Sequence, residues 1–223
     1  MTDSVVPATD TLRLETADGH GLEAELAVAA QPRAAMVLCH PHPRYGGTMR
    51  SIVIGALFDA LPRAGVTCLR FNFRGVGASE GRHDEGRGER LDARAALGAL
   101  GARAAASAPV VLAGWSFGAD VALSVDDPRL AGWLAIAPPL HVRDPSAGVA
   151  RDPRPKLLAL AEHDEVRAPA DVQALVAAWR ATEVVVVPGA SHFFVGRTAR
   201  HVELAEAFVR RVVGAAGPGA VEG

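Results

Sequence analysis

Short apolar runs, typical of strands buried on both faces of a sheet, alternate along this chain with longer segments of helical periodicity. The first such pair is residues 35–39 followed by residues 51–64, and Gly65 then stands where glycine commonly ends a helix. Strands that alternate with helices pack as a mostly parallel sheet with helices on both faces. The alternation therefore predicts an α/β fold, with ligand-binding residues at the carboxyl ends of the strands.

Eight strands and five helices are predicted in all. Residues 12–16 and 22–28 flank a glycine-containing turn, which predicts an antiparallel hairpin. The other strands are predicted over residues 35–39, 67–73, 110–113, 130–136, 156–161 and 183–187, and the helices over residues 51–64, 89–106, 117–125, 170–180 and 198–213. Residues 75–88 and the proline-rich residues 138–155 are predicted loops. We expect one domain over residues 1–223, with a flexible tail at residues 214–223.

The composition argues against several classes of partner. The formal net charge is −2, and the basic residues are scattered, so no basic patch predicts nucleic-acid binding. No apolar run approaches the roughly 20 residues of a membrane span, and residues 1–4 do not begin a signal peptide. Cys39 and Cys68 lie in apolar runs and are expected as buried free thiols. We therefore expect a soluble, cytoplasmic protein, and its oligomeric state stays open.

The segment Gly114-Trp115-Ser116-Phe117-Gly118 fits the pattern G-x-S-x-G. It follows a predicted strand and begins a predicted helix, which is the context in which this pattern presents a nucleophilic serine. Side chains two residues before or after the serine would collide with the facing backbone, so glycine is needed at both positions. Ser116 is the candidate nucleophile, and a tight structural turn is the alternative interpretation.

A serine nucleophile needs a base, and the base needs a carboxylate that orients it. His192 follows the strand predicted at 183–187, and Asp164 follows the strand predicted at 156–161, so both fall at the same sheet edge as Ser116. The order Ser, Asp, His along the chain is that of the G-x-S-x-G hydrolases. Glu162 and Glu165 remain alternatives to Asp164 as the acid.

Two backbone amides are needed to stabilise an oxyanion. The first is predicted to be that of Phe117, which follows the nucleophile. The second should come from the loop that begins His40-Pro41-His42-Pro43, where proline lacks an N–H and the amide of His42 is left by elimination. His40 and His42 could instead form half of a metal site, but no acidic or thiolate cluster completes it, and we expect no metal.

A glycine-rich loop at residues 75–81 comes close to a dinucleotide-binding pattern. It follows a late strand and no helix begins directly after it, so a structural loop is favoured and no cofactor is expected. No phosphate-binding P-loop pattern is present either, which gives nucleotide hydrolysis no support.

Four blocks of the sequence resemble the small bacterial α/β-hydrolases that lack a cap domain. They are the His40–Pro43 block with Gly46-Gly47, residues 71–77, residues 114–118 and Ser191-His192-Phe193-Phe194. The resemblance spans residues 40–194 and implies an esterase-like serine hydrolase with Ser116, Asp164 and His192 as its triad. It implies no particular substrate.

In this fold a cap is usually inserted at the position of residues 138–155, which are too few to form one. We therefore expect an open, shallow site with Ser116 nearly exposed, and an apolar wall drawn from Tyr45, Trp115, Phe117, Phe193 and Phe194. The predicted function is hydrolysis of an ester or thioester of a small acyl substrate. A peptidase, an acyltransferase and a non-catalytic binding module remain alternatives.

Overall fold

The computed structural model describes residues 8–103, 108–141 and 147–216. Their centre is an eight-stranded sheet in the order β1-β2-β4-β3-β5-β6-β7-β8. The strands are β1 (Thr9–Glu15), β2 (Gly21–Ala27), β3 (Ala34–Cys39), β4 (Val66–Phe71), β5 (Val110–Trp115), β6 (Leu130–Ile136), β7 (Lys156–His163) and β8 (Thr182–Ser191). The first two strands form an antiparallel hairpin, and β2 pairs antiparallel with β4. The remaining strands, β3 to β8, run parallel to one another.

Helices cover both faces of the sheet. They are α1 (Ile52–Ala60, continued by a 3₁₀ turn over Leu61–Ala64), α2 (Arg87–Gly101), α3 (Phe117–Leu123), α4 (Ala147–Arg151), α5 (Pro169–Val176) and α6 (Thr198–Ala216). The apolar sides of α1 and α6 pack on one face through residues such as Leu57 and Phe208. Those of α2, α3 and α5 pack on the other through Leu97, Val121 and Val172. This arrangement confirms the predicted fold.

Several boundaries differ from the prediction. The predicted 51–64 helix is an α-helix that tightens into a 3₁₀ turn, and Gly65 ends it with a φ of 81°, as expected of glycine there. Strand β8 runs to Ser191, four residues beyond the prediction, because it stays paired with β7 as far as His163. The predicted loop at 138–155 contains the short helix α4.

Three predicted segments reach beyond the described ranges. They are residues 104–106 of the helix predicted at 89–106, residues 142–146 of the predicted loop at 138–155, and residues 217–223 of the predicted tail. Within the tail, residues 214–216 continue α6. No helix in the described ranges is long and apolar enough to cross a bilayer.

The order of the strands creates a crevice beside β5. From β3 the chain crosses outward to β4, whereas from β5 it crosses to β6 on the other side, and β3 and β5 are direct neighbours. Parallel α/β sheets bind ligands at such a switch point, outside the carboxyl ends of the strands. The loops after β3, β5, β7 and β8 all open at that edge, and they carry His42, Ser116, Asp164 and His192.

Candidate active site

Ser116 lies on the sharp turn between β5 and α3. Its backbone is in a left-handed conformation, with φ 55° and ψ −123°, which a residue with a side chain adopts only when its surroundings hold it there. The Ser116 amide donates a 2.8 Å hydrogen bond to the carbonyl of Ile136, and its own carbonyl accepts from Ala119 at 2.8 Å and Asp120 at 3.1 Å. These bonds fix the turn on both sides, so that the hydroxyl faces the crevice.

The glycines on either side of Ser116 are required by space. A Cβ on Gly114 would fall inside the van der Waals distance of the Gly118 carbonyl oxygen. A Cβ on Gly118 would meet the carbonyl oxygens of Cys39 and His40 in the same way. The turn is thus packed directly against the end of β3, and the predicted collision with facing backbone is present at both positions.

The structure brings Ser116, His192 and Asp164 into one hydrogen-bonded chain. The Ser116 Oγ lies 2.9 Å from Nε2 of His192, and the His192 Nδ1 lies 3.0 and 2.9 Å from the two carboxylate oxygens of Asp164. Ser116 and His192 are buried residues. An imidazole placed in this way can remove the serine proton through Nε2 while Nδ1 donates to the carboxylate.

The carboxylate of Asp164 is held in its ionised form. Burial alone would raise its pKa, but hydrogen bonds from His192 and from the amides of Arg167 and Val166 outweigh burial, so the pKa lies below its ordinary value. The two amides bond to Oδ1 at 2.9 Å from Val166 and 3.1 Å from Arg167. Asp164 can therefore accept from His192 and stabilise an imidazolium at neutral pH.

The three acids that the sequence left as alternatives have separate partners. Asp164 bonds the imidazole of His192, whereas Glu165 accepts the backbone amide of His192 at 3.0 Å. Glu162 accepts the amide of Gly189 at 2.7 Å. The end of β7 and the two residues after it thus bind the end of β8 at Gly189 and the loop after β8 at His192. Sequence reasoning found these acids but not the roles of Glu162 and Glu165, because a backbone partner leaves no pattern in the sequence.

The two residues whose amides are predicted to stabilise an oxyanion, Phe117 and His42, both line the crevice. Phe117 is the first residue of α3, where an amide has no acceptor within the helix. The ring of His42 packs beside that of Phe117, with ring centroids 4.9 Å apart. The carbonyl of His42 accepts from Tyr45 and Gly47, both at 3.1 Å, so a tight turn fixes the backbone there.

His40 anchors this turn to the sheet. It is fully buried, its Nε2 accepts the amide of Phe73 at 3.0 Å, and its Nδ1 lies 2.6 Å from the carbonyl of Pro41. An amide can only donate, so Nε2 is unprotonated and Nδ1 donates to Pro41. Burial lowers the pKa of His40 to about 4. Its two nitrogens are therefore engaged, and the described residues contain no cluster suited to a metal ion.

A cavity of about 840 Å³ opens above Ser116. Tyr45, Trp115, Phe117 and Phe193 line it, as predicted for an apolar wall. Phe194 does not line the cavity, so that part of the prediction is wrong. Its φ of 52° turns the side chain inward, where it is fully buried and packs edge-on against His201 with centroids 4.1 Å apart.

The chain resembles solved structures and one curated protein over most of its length, although no protein-family model matches it. An uncharacterized protein of Rickettsia prowazekii is 35% identical over 185 residues, covering 78% of this chain and 77% of that protein. An alpha-beta serine hydrolase homologue from Coxiella burnetii is also 35% identical; it has a TM-score of 0.80 and covers 91% of this chain and 96% of its own. The chain belongs to the α/β serine hydrolase family.

A serine hydrolase without lid from Xanthomonas campestris is also similar, at 28% identity and a TM-score of 0.80 over 96% of this chain and 97% of that one. A putative α/β hydrolase of unknown function from Agrobacterium tumefaciens is 29% identical, with a TM-score of 0.81, and covers 92% of this chain and 97% of its own. Among these structural neighbours of this α/β serine hydrolase, the Xanthomonas campestris protein lacks a lid.

The site of this hydrolase is nevertheless deeper than the short 138–155 segment predicts. Ser116 is only 8% exposed, so the expectation of a shallow site with an open serine is wrong. Asp120 in α3 holds one side of this cavity, because its carboxylate accepts the amides of Leu140 at 2.8 Å and His141 at 2.7 Å. Arg167 adds a 3.0 Å bond to the carbonyl of Pro139. Residues 139–141 are thereby fixed as one wall of the cavity.

Proposed function

We propose that this α/β serine hydrolase cleaves ester or thioester bonds of small acyl substrates through an acyl-enzyme, with Ser116 as nucleophile, His192 as base and Asp164 as orienting acid. One observation carries the proposal. The Oγ of Ser116 lies 2.9 Å from His192 Nε2, and the His192 Nδ1 lies 2.9 Å from Asp164, at the floor of a large cavity. Nucleophile, base and orienting group in this mutual geometry are the diagnostic features of nucleophilic acyl transfer.

The first half-reaction forms the acyl-enzyme. Ser116 Oγ attacks the carbonyl carbon while His192 Nε2 takes the hydroxyl proton, and the carbonyl electron pair moves onto oxygen. The amides of Phe117 and His42 are the proposed donors to that oxyanion. The tetrahedral intermediate collapses when His192 returns the proton to the leaving alcohol or thiol, and the bond between the acyl carbon and the leaving group breaks.

The second half-reaction uses water. His192 removes a proton from a water molecule, whose oxygen attacks the acyl carbon. The Ser116 oxygen then leaves and takes the proton back from His192, which releases the carboxylic acid and restores the free enzyme. The Nδ1 proton stays on His192 throughout, because the ionised Asp164 only accepts a hydrogen bond from it and so stabilises the imidazolium, in agreement with the lowered pKa of Asp164.

The test combines a fluorophosphonate probe with an activated acetate ester. We expect the probe to modify Ser116, identified by peptide mass, and a rapid burst of released alcohol before steady turnover. Ser116→Ala should lose labelling and reduce kcat on the order of 10⁴-fold to 10⁶-fold. Asp164→Asn should lower kcat by roughly 10³-fold to 10⁴-fold, because the wrong imidazole tautomer is favoured.

Matched substitutions keep the outcome interpretable. Ser124→Ala removes a buried serine hydroxyl from the end of the same helix α3, where it bonds the carbonyl of Val121 at 2.6 Å, and should leave labelling unchanged. If Ser116→Ala hydrolyses the ester at the wild-type rate, or if the probe modifies another residue, the proposed mechanism is wrong. A folded wild-type protein that neither labels nor turns over would indicate a binding module.

A further inference from the structure

Exposed apolar side chains concentrate at the mouth of the cavity. Among the described residues, seven large apolar side chains are exposed. Four of them line the cavity, and we call these four the apolar rim: Tyr45, Ile52, Val166 and Phe193. Val195 lies two residues beyond Phe193 on the same loop, and only Val28 and Leu175 come from other parts of the chain. Single exposed apolar residues are ordinary, but a cluster around a cavity marks a binding surface.

The apolar rim is built from three separate parts of the chain, because Tyr45 and Ile52 both belong to the segment that connects β3 to α1. Tyr45 lies in the turn after β3, Ile52 begins α1, Val166 follows β7 and Phe193 follows β8. Tyr45 is 87% exposed, and Phe193 is 54% exposed although it lies between the buried residues His192 and Phe194. Because three separate segments present apolar groups to the same opening, the cluster is a property of the site and not of one unusual loop.

The charges around the cavity are acidic. Its lining includes Glu85 and Asp120 but, among the described residues, no lysine or arginine. Asp120 is occupied by the amides of residues 140 and 141. The described lining residues therefore include no lysine or arginine that could pair with a carboxylate or phosphate on the bound group, and Arg44, which lies beside the lining, is paired with Glu85.

Glu85 is held at the cavity by its neighbours. The buried carboxylate of Glu89 accepts the amides of Asp84 and Gly86, both at 2.9 Å, on either side of Glu85. Glu85 consequently adopts a φ of 52° and remains exposed, with Arg44 at 3.1 Å as its ion-pair partner. An anionic group entering the cavity would meet this carboxylate, so Glu85 disfavours acidic substrates.

We infer that the substrate is an ester or thioester with an extended, uncharged apolar arm, which the cavity and the apolar rim bury while Ser116 attacks. The inference rests on the proposed function, and it names the class of substrate that this function would act on. The arm is either the acyl chain or the alcohol group, because both lead away from the same carbonyl carbon.

The first experiment measures kcat/KM for two series of esters below their critical micelle concentrations. One series lengthens the acyl chain of 4-nitrophenyl esters from acetate to octanoate, and the other lengthens the alcohol of alkyl acetates. A fully buried methylene contributes about fourfold, so at least one series should gain tenfold or more between two and six carbons. The series that gains identifies which arm occupies the rim, and a flat response in both overturns the inference.

Variants then connect that gain to the rim. Ile52→Ser and Phe193→Ser should each reduce the ratio of long-chain to short-chain kcat/KM by about threefold to tenfold. Val28→Ser and Leu175→Ser remove equally exposed apolar side chains elsewhere and should leave the ratio unchanged. If rim and control variants shift the ratio alike, the apolar rim does not bind substrate.

A third comparison tests the charge. An ester whose arm ends in a carboxylate should be cleaved at least tenfold less efficiently than the uncharged ester of the same length, and Glu85→Gln should narrow that difference. Equal efficiency for both esters contradicts the inference. Labelling of Ser116 by the fluorophosphonate is read in parallel: labelling with no preference refutes the substrate class alone, whereas absent labelling refutes the proposed function.

Discussion

His201 makes a sharp prediction about acid stability. The residue lies in the first turns of α6, is almost fully buried, and stacks edge-on against Phe194. Neither ring nitrogen has a hydrogen-bond partner among the described residues. Burial lowers the pKa of His201 from 6.5 to about 4, and burial has the same effect on the pKa of His40.

The direction in which stability changes with pH depends on whether the folded or the unfolded chain binds the proton at the higher pH. Between pH 6.5 and 4 the imidazole is protonated in the unfolded chain and neutral in the folded one. The contribution of each neutral imidazole to the free energy of unfolding is therefore complete above pH 6.5, and it is lost as the pH falls to about 4. At pH 4.5 each histidine has removed about 2–3 kcal/mol, and the two together about 4–6 kcal/mol, against the roughly 5–15 kcal/mol of an ordinary domain.

The carboxylates do not obscure this window. A carboxylate with a lowered pKa, such as Asp18 at about 2 from an ordinary 3.8, stabilises the fold above the ordinary value. That contribution is lost only as the pH falls from about 4 toward 2. Asp92, whose pKa is raised by burial, binds its proton more readily in the folded chain and so changes stability in the opposite direction. A loss of stability between pH 7 and 4.5 is therefore attributable mainly to the histidines whose pKa values are lowered.

The perturbation is His201→Phe, because phenylalanine keeps the ring that packs on Phe194 and leaves no polar atom behind. Urea unfolding should show a gain of about 1–3 kcal/mol at pH 7, from removal of an unsatisfied buried imidazole. Between pH 7 and 4.5 the variant should lose about 2–3 kcal/mol less than wild type. His163→Phe, at the exposed end of β7, is the matched control. If His201→Phe and wild type lose equal stability on acidification, the argument from burial is refuted.

Two further substitutions test the geometry of the site. Glu165→Ala should lower kcat about tenfold with little change in KM, because the amide of His192 loses its acceptor. Glu165→Gln keeps an acceptor and should retain most of kcat. An equal loss of kcat in both variants would show that the charge of Glu165 matters and not its hydrogen bond. Gly118→Ala should lower the free energy of unfolding in urea by about 1–3 kcal/mol and also lower kcat, because its Cβ would push the end of β3 away. Gly101→Ala is the control: its Cβ meets nothing within 4 Å, so it should be neutral or stabilising. If Gly118→Ala is as stable and as active as wild type, the close packing of this turn on β3 is not needed.

The sheet was predictable because its information is local. A buried parallel strand needs an apolar run, as at Ala34–Cys39, and a helix end needs a residue such as Gly65, so both leave marks in the sequence. Parallel connectivity then sends Ser116, Asp164 and His192 to one edge, which is why the sequence alone could anticipate their proximity.

The parts that escaped prediction depend on contacts between distant residues. Nothing near residue 120 in the sequence indicates that the Asp120 carboxylate accepts the amides of residues 140 and 141 and so fixes this segment at the cavity. Phe194 follows Phe193, and only the left-handed backbone of Phe194 separates a buried side chain from one at the cavity. The hydrogen bond from the amide of Phe73 to His40 likewise joins two loops that are 33 residues apart.

The hydrogen bonds from the end of β7 to the end of β8 and the loop after it have a consequence for protein engineering. Glu162 and Glu165 accept the backbone amides of Gly189 and His192, while Asp164 accepts from the imidazole of His192. Residues 162–165 and 189–192 thus form a pair of interacting segments that together position the catalytic base. In chimeras between related hydrolases, exchanging both pieces together preserves the match, whereas grafting a histidine loop alone leaves its amides without acceptors.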